Sequence, residues 1–302
     1  MVLLKLKMKK QIKKLTTIVV IYLCTSALYA AEGGSSQYLP GFYGDFGMGT
    51  SSAPGTYLNN FFGYNWGSNN DSSNSLLFEL PGIMRVTETK ILDGTYSFGF
   101  YPYALRSTYN TKQNNDKKEF ERAGAGDMYA VPIQLSWQYG EVSFLAFEGI
   151  VVPTGSYEKN RDLNAGRNTW TFDNNFSITW LPNNGKYDLS LTFGYMVNTE
   201  NTATHYRTGD EVHIDYSTGY YLTPSLGIGV TGSYYRQVTN DTGSGVPVNA
   251  ISGEYSSIGP VVTYTAKMGE RDVTFSTKWL HEYDVNNHIP SDYFIIRTNL
   301  MF

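Results

Sequence analysis

From about residue 56 onward, apolar and polar residues alternate with a period of two, and clusters of turn residues interrupt the alternation. In "YDLSLTFGYMV" one face carries Tyr187, Leu189, Leu191, Phe193, Tyr195 and Val197, and the other Asp188, Ser190, Thr192, Gly194 and Met196. In "EVHIDYSTGYYL" Val212, Ile214, Tyr216, Thr218, Tyr220 and Leu222 oppose His213, Asp215, Ser217, Gly219 and Tyr221. Neighbouring side chains of a strand point to opposite faces, so each such run presents one apolar and one polar surface. The pattern predicts twelve strands, at 56–66, 75–91, 95–105, 126–138, 141–153, 168–181, 187–198, 210–222, 224–238, 254–266, 271–283 and 292–302. No long stretch outside the first thirty residues shows a 3.6-residue period, so the chain reads as all-β.

The connections between these runs alternate in length. Long ones ("GSNNDSSN", "RSTYNTKQNNDKKEFERAGA", "TGSYEKNRDLNAG", "TENTATHYRTG", "TNDTGSGVPVNAISG", "YDVNNHIPS") take turns with short ones ("LDG", "QYG", "LPNNGK", "LTP", "KMGE"). A soluble sandwich has no reason to do this. A transmembrane barrel does, because short turns face the periplasm and longer loops face outward. The backbone argument agrees: in hydrocarbon every N–H and C=O needs a partner, and only closure of the sheet removes its two unpaired edges. The expectation is a single antiparallel barrel of about twelve strands over 56–302. The Gly-rich, aromatic segment 31–55 is a candidate plug for the lumen.

The first thirty residues change where this barrel sits. Six lysines (Lys5, Lys7, Lys9, Lys10, Lys13, Lys14) precede an apolar run from Leu15 to about Leu28 and small residues at Ala30 and Ala31. That order is the pattern of a secretory signal peptide over 1–30, cleaved near Ala30. Cys24, the single cysteine, falls within it, which leaves no disulfide framework and no cysteine-based metal site. Of 23 Lys and Arg, six lie in this leader, so 17 basic against 27 acidic residues leave a net charge of −10. An acidic chain without a basic stripe argues against nucleic acid as a partner. The expected location is the outer membrane of a Gram-negative bacterium, with its lipids and lipopolysaccharide as partners. The 25 tyrosines, 16 phenylalanines and five tryptophans fit aromatic girdles at two interfaces.

Several motifs invite chemistry and do not hold up. "GIGVTG" spaces Gly227, Gly229 and Gly232 as a dinucleotide loop would, but it lies inside an alternating strand with no helix after it. Gly227 and Gly229 should instead point inward and leave space. "DLNAG" (Asp162, Asn164, Gly166) resembles half of a calcium loop without its later Glu, and a plain turn explains it. His205, His213, His281 and His288 form no metal-ligand spacing. The His-x-Ser-Asn-Gly signature of outer-membrane phospholipase A, another twelve-stranded barrel, is absent. We expect no enzyme, cofactor or metal. "NDKKEFER" reads as a solvated charge run in the second outer loop.

The middle of the chain carries an ordered set of residues: Gly124, Gly126, Asp127, Pro132, Leu135, Trp137, Pro153, Thr154, Gly155, Tyr157, Asn164, Gly166 and Trp170. Together with "SQYLPGFYGDFG" near the start, "SYYRQVTNDTGSG" and "SSIGPVVTY", this set resembles the outer-membrane family labelled as the meta-pathway of phenol degradation, which is related to sphingosine-induced outer-membrane proteins. The resemblance implies an outer-membrane barrel that passes aromatic or other apolar molecules. The motif residues themselves read as structural. Pro132 lacks a ladder donor and marks a bulge or a locally opened site in the fourth strand, Pro153 stops a strand, and Thr154–Gly155 turn the chain.

Alternation and the cost of placing charge in lipid select the inward residues. They are Tyr57, Phe61, Glu79, Arg85, Tyr101, Tyr103, Asp173, Asp188, Asp215, Tyr221, Tyr235, Lys278, Glu282, Tyr293 and Arg297. Glu282, Lys278 and Arg297 should form a salt-bridged wall, and the tyrosines should line an apolar path suited to a small hydrophobic or aromatic solute. The alternative is a structural or surface-interaction barrel with a closed lumen. The final run "DYFIIRTNLMF" puts Phe294, Ile296, Thr298, Leu300 and Phe302 toward lipid, and it should pair back with 56–66. Phe302 resembles the terminal aromatic that barrel-assembly machinery reads. Deleting Phe302 should therefore lower the fraction of folded, heat-modifiable barrel in outer membranes, while transport per inserted molecule stays unchanged.

Overall fold

The computed structural model describes residues 31–32, 36–50, 52–113, 116–248 and 250–302. The expected signal peptide over 1–30 lies outside the described residues. Among the described residues, fourteen strands form one antiparallel sheet: β1 (Gly55–Ser68), β2 (Ser72–Ile91), β3 (Gly94–Tyr101), β4 (Ala104–Gln113), β5 (Asp116–Ala125), β6 (Met128–Tyr139), β7 (Val142–Val152), β8 (Thr171–Trp180), β9 (Tyr187–Asn198), β10 (Glu211–Thr223), β11 (Leu226–Gln237), β12 (Glu254–Met268), β13 (Arg271–Asn286) and β14 (Ser291–Met301).

Twelve of these strands close the ring. β1 pairs with β2 on one side and with β14 on the other, with Phe61 opposite Arg297. The expected pairing of the last run with the first is therefore present. The other two, β4 and β5, continue β3 and β6 past the breaks at Pro102–Tyr103 and Gly126–Asp127, and form a hairpin laid along the outer half of β2. This corrects one expectation: "NDKKEFER" is mostly a strand of that hairpin, not a loop. Its side chains alternate little in burial because solvent reaches both faces.

Alternation sorts the two surfaces as expected. Leu58, Phe62, Phe98, Phe100, Phe176, Leu189, Leu191, Phe193, Val230, Val262 and Phe294 are exposed on the outer face. Trp66, Trp170, Trp180 and Trp279 are also exposed, near strand ends or the outer half of the wall. The lumen side carries buried hydroxyls that bond across strands, such as Ser177 with Thr192 at 2.8 Å, Thr179 with Ser190 at 2.7 Å and Ser233 with Ser257 at 2.7 Å. Pro132 does sit at an irregularity: the register slips between Ala130 and Ile133 against β7, and β6 slips again where it faces Ser97–Gly99 of β3. β7 ends at Val152, directly before Pro153.

Residues 36–50 fold into the lumen as a plug. Phe46 enters a socket where three inward positions on β10 and β11 lack side chains. A Cβ on Gly219 would collide with its ring, and one on Gly227 or Gly229 would come within 2.9 or 2.7 Å of it. Two glycines of the false dinucleotide motif, Gly227 and Gly229, thus make room for an aromatic side chain of the plug. Alanine at Gly219 should cost about 1–3 kcal/mol by overpacking. We expect faster proteolysis of the N-terminal segment in Gly219→Ala than in the parent barrel.

Candidate functional site

The plug is seated by charge. Asp45 accepts from Lys278 Nζ at 2.7 Å and from Arg297 Nη1 at 3.0 Å. Lys278 also donates to the Gly41 carbonyl and to Gly44 O at 3.3 Å. Burial alone would raise the Asp45 pKa, but the two cations outweigh it and hold the carboxyl below its ordinary range. Backbone contacts extend the seat. Ser217 donates to Asp45 O and Thr231 to Gly44 O, while Gly47 N donates to Asp188 and Gly49 N to Thr179. The expected salt-bridged wall is thereby corrected. Glu282 does not pair with Lys278 or Arg297; it accepts from Tyr293 OH at 2.9 Å and Ser291 N at 2.9 Å.

A second cluster lies farther toward the long loops. His213, on β10, has Nδ1 3.1 Å from Asp215 and Nε2 3.1 Å from Asp173 on β8. Each ring nitrogen faces a carboxylate, so donating to both requires a proton on each. Two plug tyrosines cover the imidazole. Tyr38 stacks on it at 4.4 Å and 19° and donates to Asp215 at 2.8 Å. Tyr43 stacks at 5.3 Å and 16° and donates to Asp173 at 2.8 Å, with Tyr129 OH 2.6 Å from its oxygen. The stack continues from Tyr38 through Tyr235 and Tyr255 to His288 in the last outer loop.

Two cavities flank the plug. The outer one, of about 510 Å³, has Leu39, Leu76, Leu80, Leu105, Val151 and Met196 among its apolar walls, and Lys159 and Arg161 of the third outer loop border it. The inner one, of about 300 Å³, sets Phe61, Tyr101, Leu145 and Phe147 against Asn59, Asn299, Ser276 and Arg297. Phe42, Tyr43 and Tyr129 line both, so they form the partition.

The sequence-predicted residues divide accordingly. Tyr57, Phe61, Tyr101 and Arg297 line the inner cavity, and Tyr103, Asp173 and Tyr293 the outer one. Lys278 and Asp188 hold the plug, Asp215 and Tyr235 belong to the histidine cluster and its stack, and Tyr221 packs against Phe46. Glu79 and Arg85 are corrections: both face outward. On β2 the lumen side is itself apolar (Phe78, Leu80, Met84, Val86), so hydrophobicity could not tell the faces apart. Outside, Glu79 accepts from Asn60 at 3.0 Å, and Arg85 donates to Thr56 at 2.9 Å near the strand's short-turn end, where a charge costs little. Glu211 and His213 were missed. Both have inward parity on β10, which was the available signal, and Glu211 accepts from Tyr235 OH and Asn198.

Six of the motif residues, Asp127, Thr154, Gly155, Tyr157, Asn164 and Gly166, gather at the outer rim. Asp127, in the break between β5 and β6, accepts from Gly155 N at 2.8 Å and Arg167 N at 2.7 Å. Thr154 Oγ1 accepts from Met128 N, and a Cβ on Gly155 would lie 2.6 Å from Gly166 Cα, so the two glycine backbones touch. Asn164 bonds Glu158 through both ends of its amide, and Tyr157 OH accepts from Asn201. Trp170 is exposed on the wall, and Trp137 donates to Leu92 O at a short turn. Asp127, Tyr157, Asn164 and Gly166 of this set also border the outer cavity.

A closed twelve-membered ring with a girdled apolar exterior and a plugged polar interior defines an outer-membrane β-barrel. The chain belongs to the family described as "Putative MetA-pathway of phenol degradation", whose model matches residues 47–298. No curated protein is detectably similar to it. Among solved structures it is similar to the COG4313 outer membrane channel from Pseudomonas putida F1, at 12% identity and a TM-score of 0.70, covering 88% of this chain and 100% of that one. At that identity the likeness shows the fold. A Pseudomonas aeruginosa FadL homologue (7% identity, TM-score 0.41, 82% of this chain and 90% of that one) and the transport unit of the Escherichia coli autotransporter AIDA-I (8%, 0.46, 82% and 90%) are more distant.

Asp45→Asn removes the counter-charge of a buried lysine. Breaking a buried pair from one side costs about 3–5 kcal/mol. The plug of this variant should be cleaved by protease under conditions that leave the parent plug intact, while the barrel stays folded.

Proposed function

We propose that the barrel conducts small hydrophobic or aromatic molecules across the outer membrane, from the long-loop side to the short-turn side. The observation that carries this is the pair of aromatic-lined cavities set in series within one lumen and divided by three rings, Phe42, Tyr43 and Tyr129. Both volumes fall within the roughly 300–1,000 Å³ typical of small-molecule sites. The neighbouring Pseudomonas putida protein is described as a channel, which supports the same reading.

A solute enters past Tyr157, Lys159 and Leu163, rests among apolar side chains, and crosses when the partition moves. The three-ring partition also favours a second reading, a structural barrel whose lumen stays closed and whose loops do the work. Planar-bilayer conductance and liposome uptake separate the two. Deleting residues 33–54 should raise single-channel conductance several-fold over the parent, and parent liposomes should take up toluene faster than empty ones. Unchanged conductance in the deletion, with no uptake by the parent, would leave the structural reading standing.

A further inference from the structure

We propose that the two faces of His213 are binding sites for hydroxylated monocyclic aromatic rings, and that Tyr38 and Tyr43 occupy them in the closed lumen as tethered stand-ins for the solute; the inference rests on the channel reading above. Each plug tyrosine makes the same two contacts. Its ring lies flat on the imidazole, and its hydroxyl donates to the aspartate on that side, Asp215 for Tyr38 and Asp173 for Tyr43. The receiving groups all belong to the wall, Asp173 to β8 and His213 and Asp215 to β10, so they remain in place when a tyrosine leaves.

The side chain of tyrosine is 4-methylphenol joined to a backbone. A free phenol therefore has the chemistry the site already accommodates. The Tyr43 site is the one that matters for passage, because its ring borders both cavities. Tyr43 reaches His213 and Asp173 with its side chain, while the neighbouring Gly44 and Asp45 are held by Thr231, Ser217, Lys278 and Arg297. It can swing toward the outer cavity with the seat intact. A phenol arriving there restacks on the imidazole and supplies the donor that Asp173 has lost. Once bound, it faces the inner cavity.

The same contacts set the specificity. A buried carboxylate left without its donor is costly, so a ring lacking a hydroxyl cannot replace Tyr43 on equal terms. A benzoate would bring a third carboxylate to the pair already beside His213 and is repelled. Selection thus falls on neutral rings that carry a hydrogen-bond donor.

The test uses the full chain purified from outer membranes in detergent, as Tyr43→Ala and as the double variant with Asp173→Asn, probed with 4-methylphenol, toluene and benzoate. In Tyr43→Ala, 4-methylphenol should raise the melting temperature and bind roughly tenfold or more tightly than toluene, benzoate should have no effect, and Asp173→Asn should erase the preference. Equal stabilisation by toluene and 4-methylphenol, or by neither, overturns the proposal. Should Tyr43→Ala fail to fold, uptake by parent liposomes decides instead: faster entry of 4-methylphenol than of toluene supports it, and equal rates overturn it while leaving the channel reading intact. Entry of neither solute overturns the channel reading and this proposal with it, whereas equal entry of both overturns the proposal alone.

Discussion

Lys278 points into the lumen from the middle of β13, and the carboxylate that answers it comes from the plug. Much of the interior depends on that arrangement. A buried ammonium without a counter-charge is strongly destabilising, and among the described residues the wall sets no acid against it: Glu282, four residues farther along the same face, is taken by Tyr293 and Ser291. The barrel is therefore electrostatically incomplete without residue 45, and the plug is a component of its core. With Asp45 fixed, Phe46 falls into the gap left by Gly219, Gly227 and Gly229, and Tyr43 and Tyr38 fall on either side of His213.

The exterior was legible in the sequence, because lipid imposes a simple rule and the loops kept a simple rhythm. Strand 187–198 was placed to the residue, the closing pair of first and last strands was anticipated, and Pro132 marked its bulge. Legibility failed where both faces of a strand are apolar. On β2 the lumen-facing Phe78 and Leu80 resemble lipid-facing residues, so the charges of Glu79 and Arg85 were assigned to the wrong side. It failed again at the hairpin of β4 and β5, where a charged strand outside the membrane has no apolar face to betray it.

The candidate site was half legible. Parity brought Asp173, Asp215 and Tyr235 inward, but parity says nothing about depth, and depth decides which inward residues meet. That Asp173 and Asp215, on different strands, bracket one histidine follows from the register of β8, β9 and β10. The plug's part was invisible in detail. Tyr38, Tyr43 and Asp45 lie in a Gly-rich stretch with no periodicity, and their wall partners stand 86 to 252 residues farther along the chain.

That separation has a consequence for the order of assembly. An early segment docks on strands made later: Asp45 needs β13 and β14, and Phe46 needs β10 and β11. Contacts so distant in sequence are among the slowest to form, since the intervening chain must be ordered before they repay its loss of freedom. The lumen must therefore remain wet until the ring has closed, with Lys278 and Arg297 hydrated in the meantime. Seating the plug is then a late drying of the interior. The nascent barrel passes through a hollow form before it becomes the sealed one.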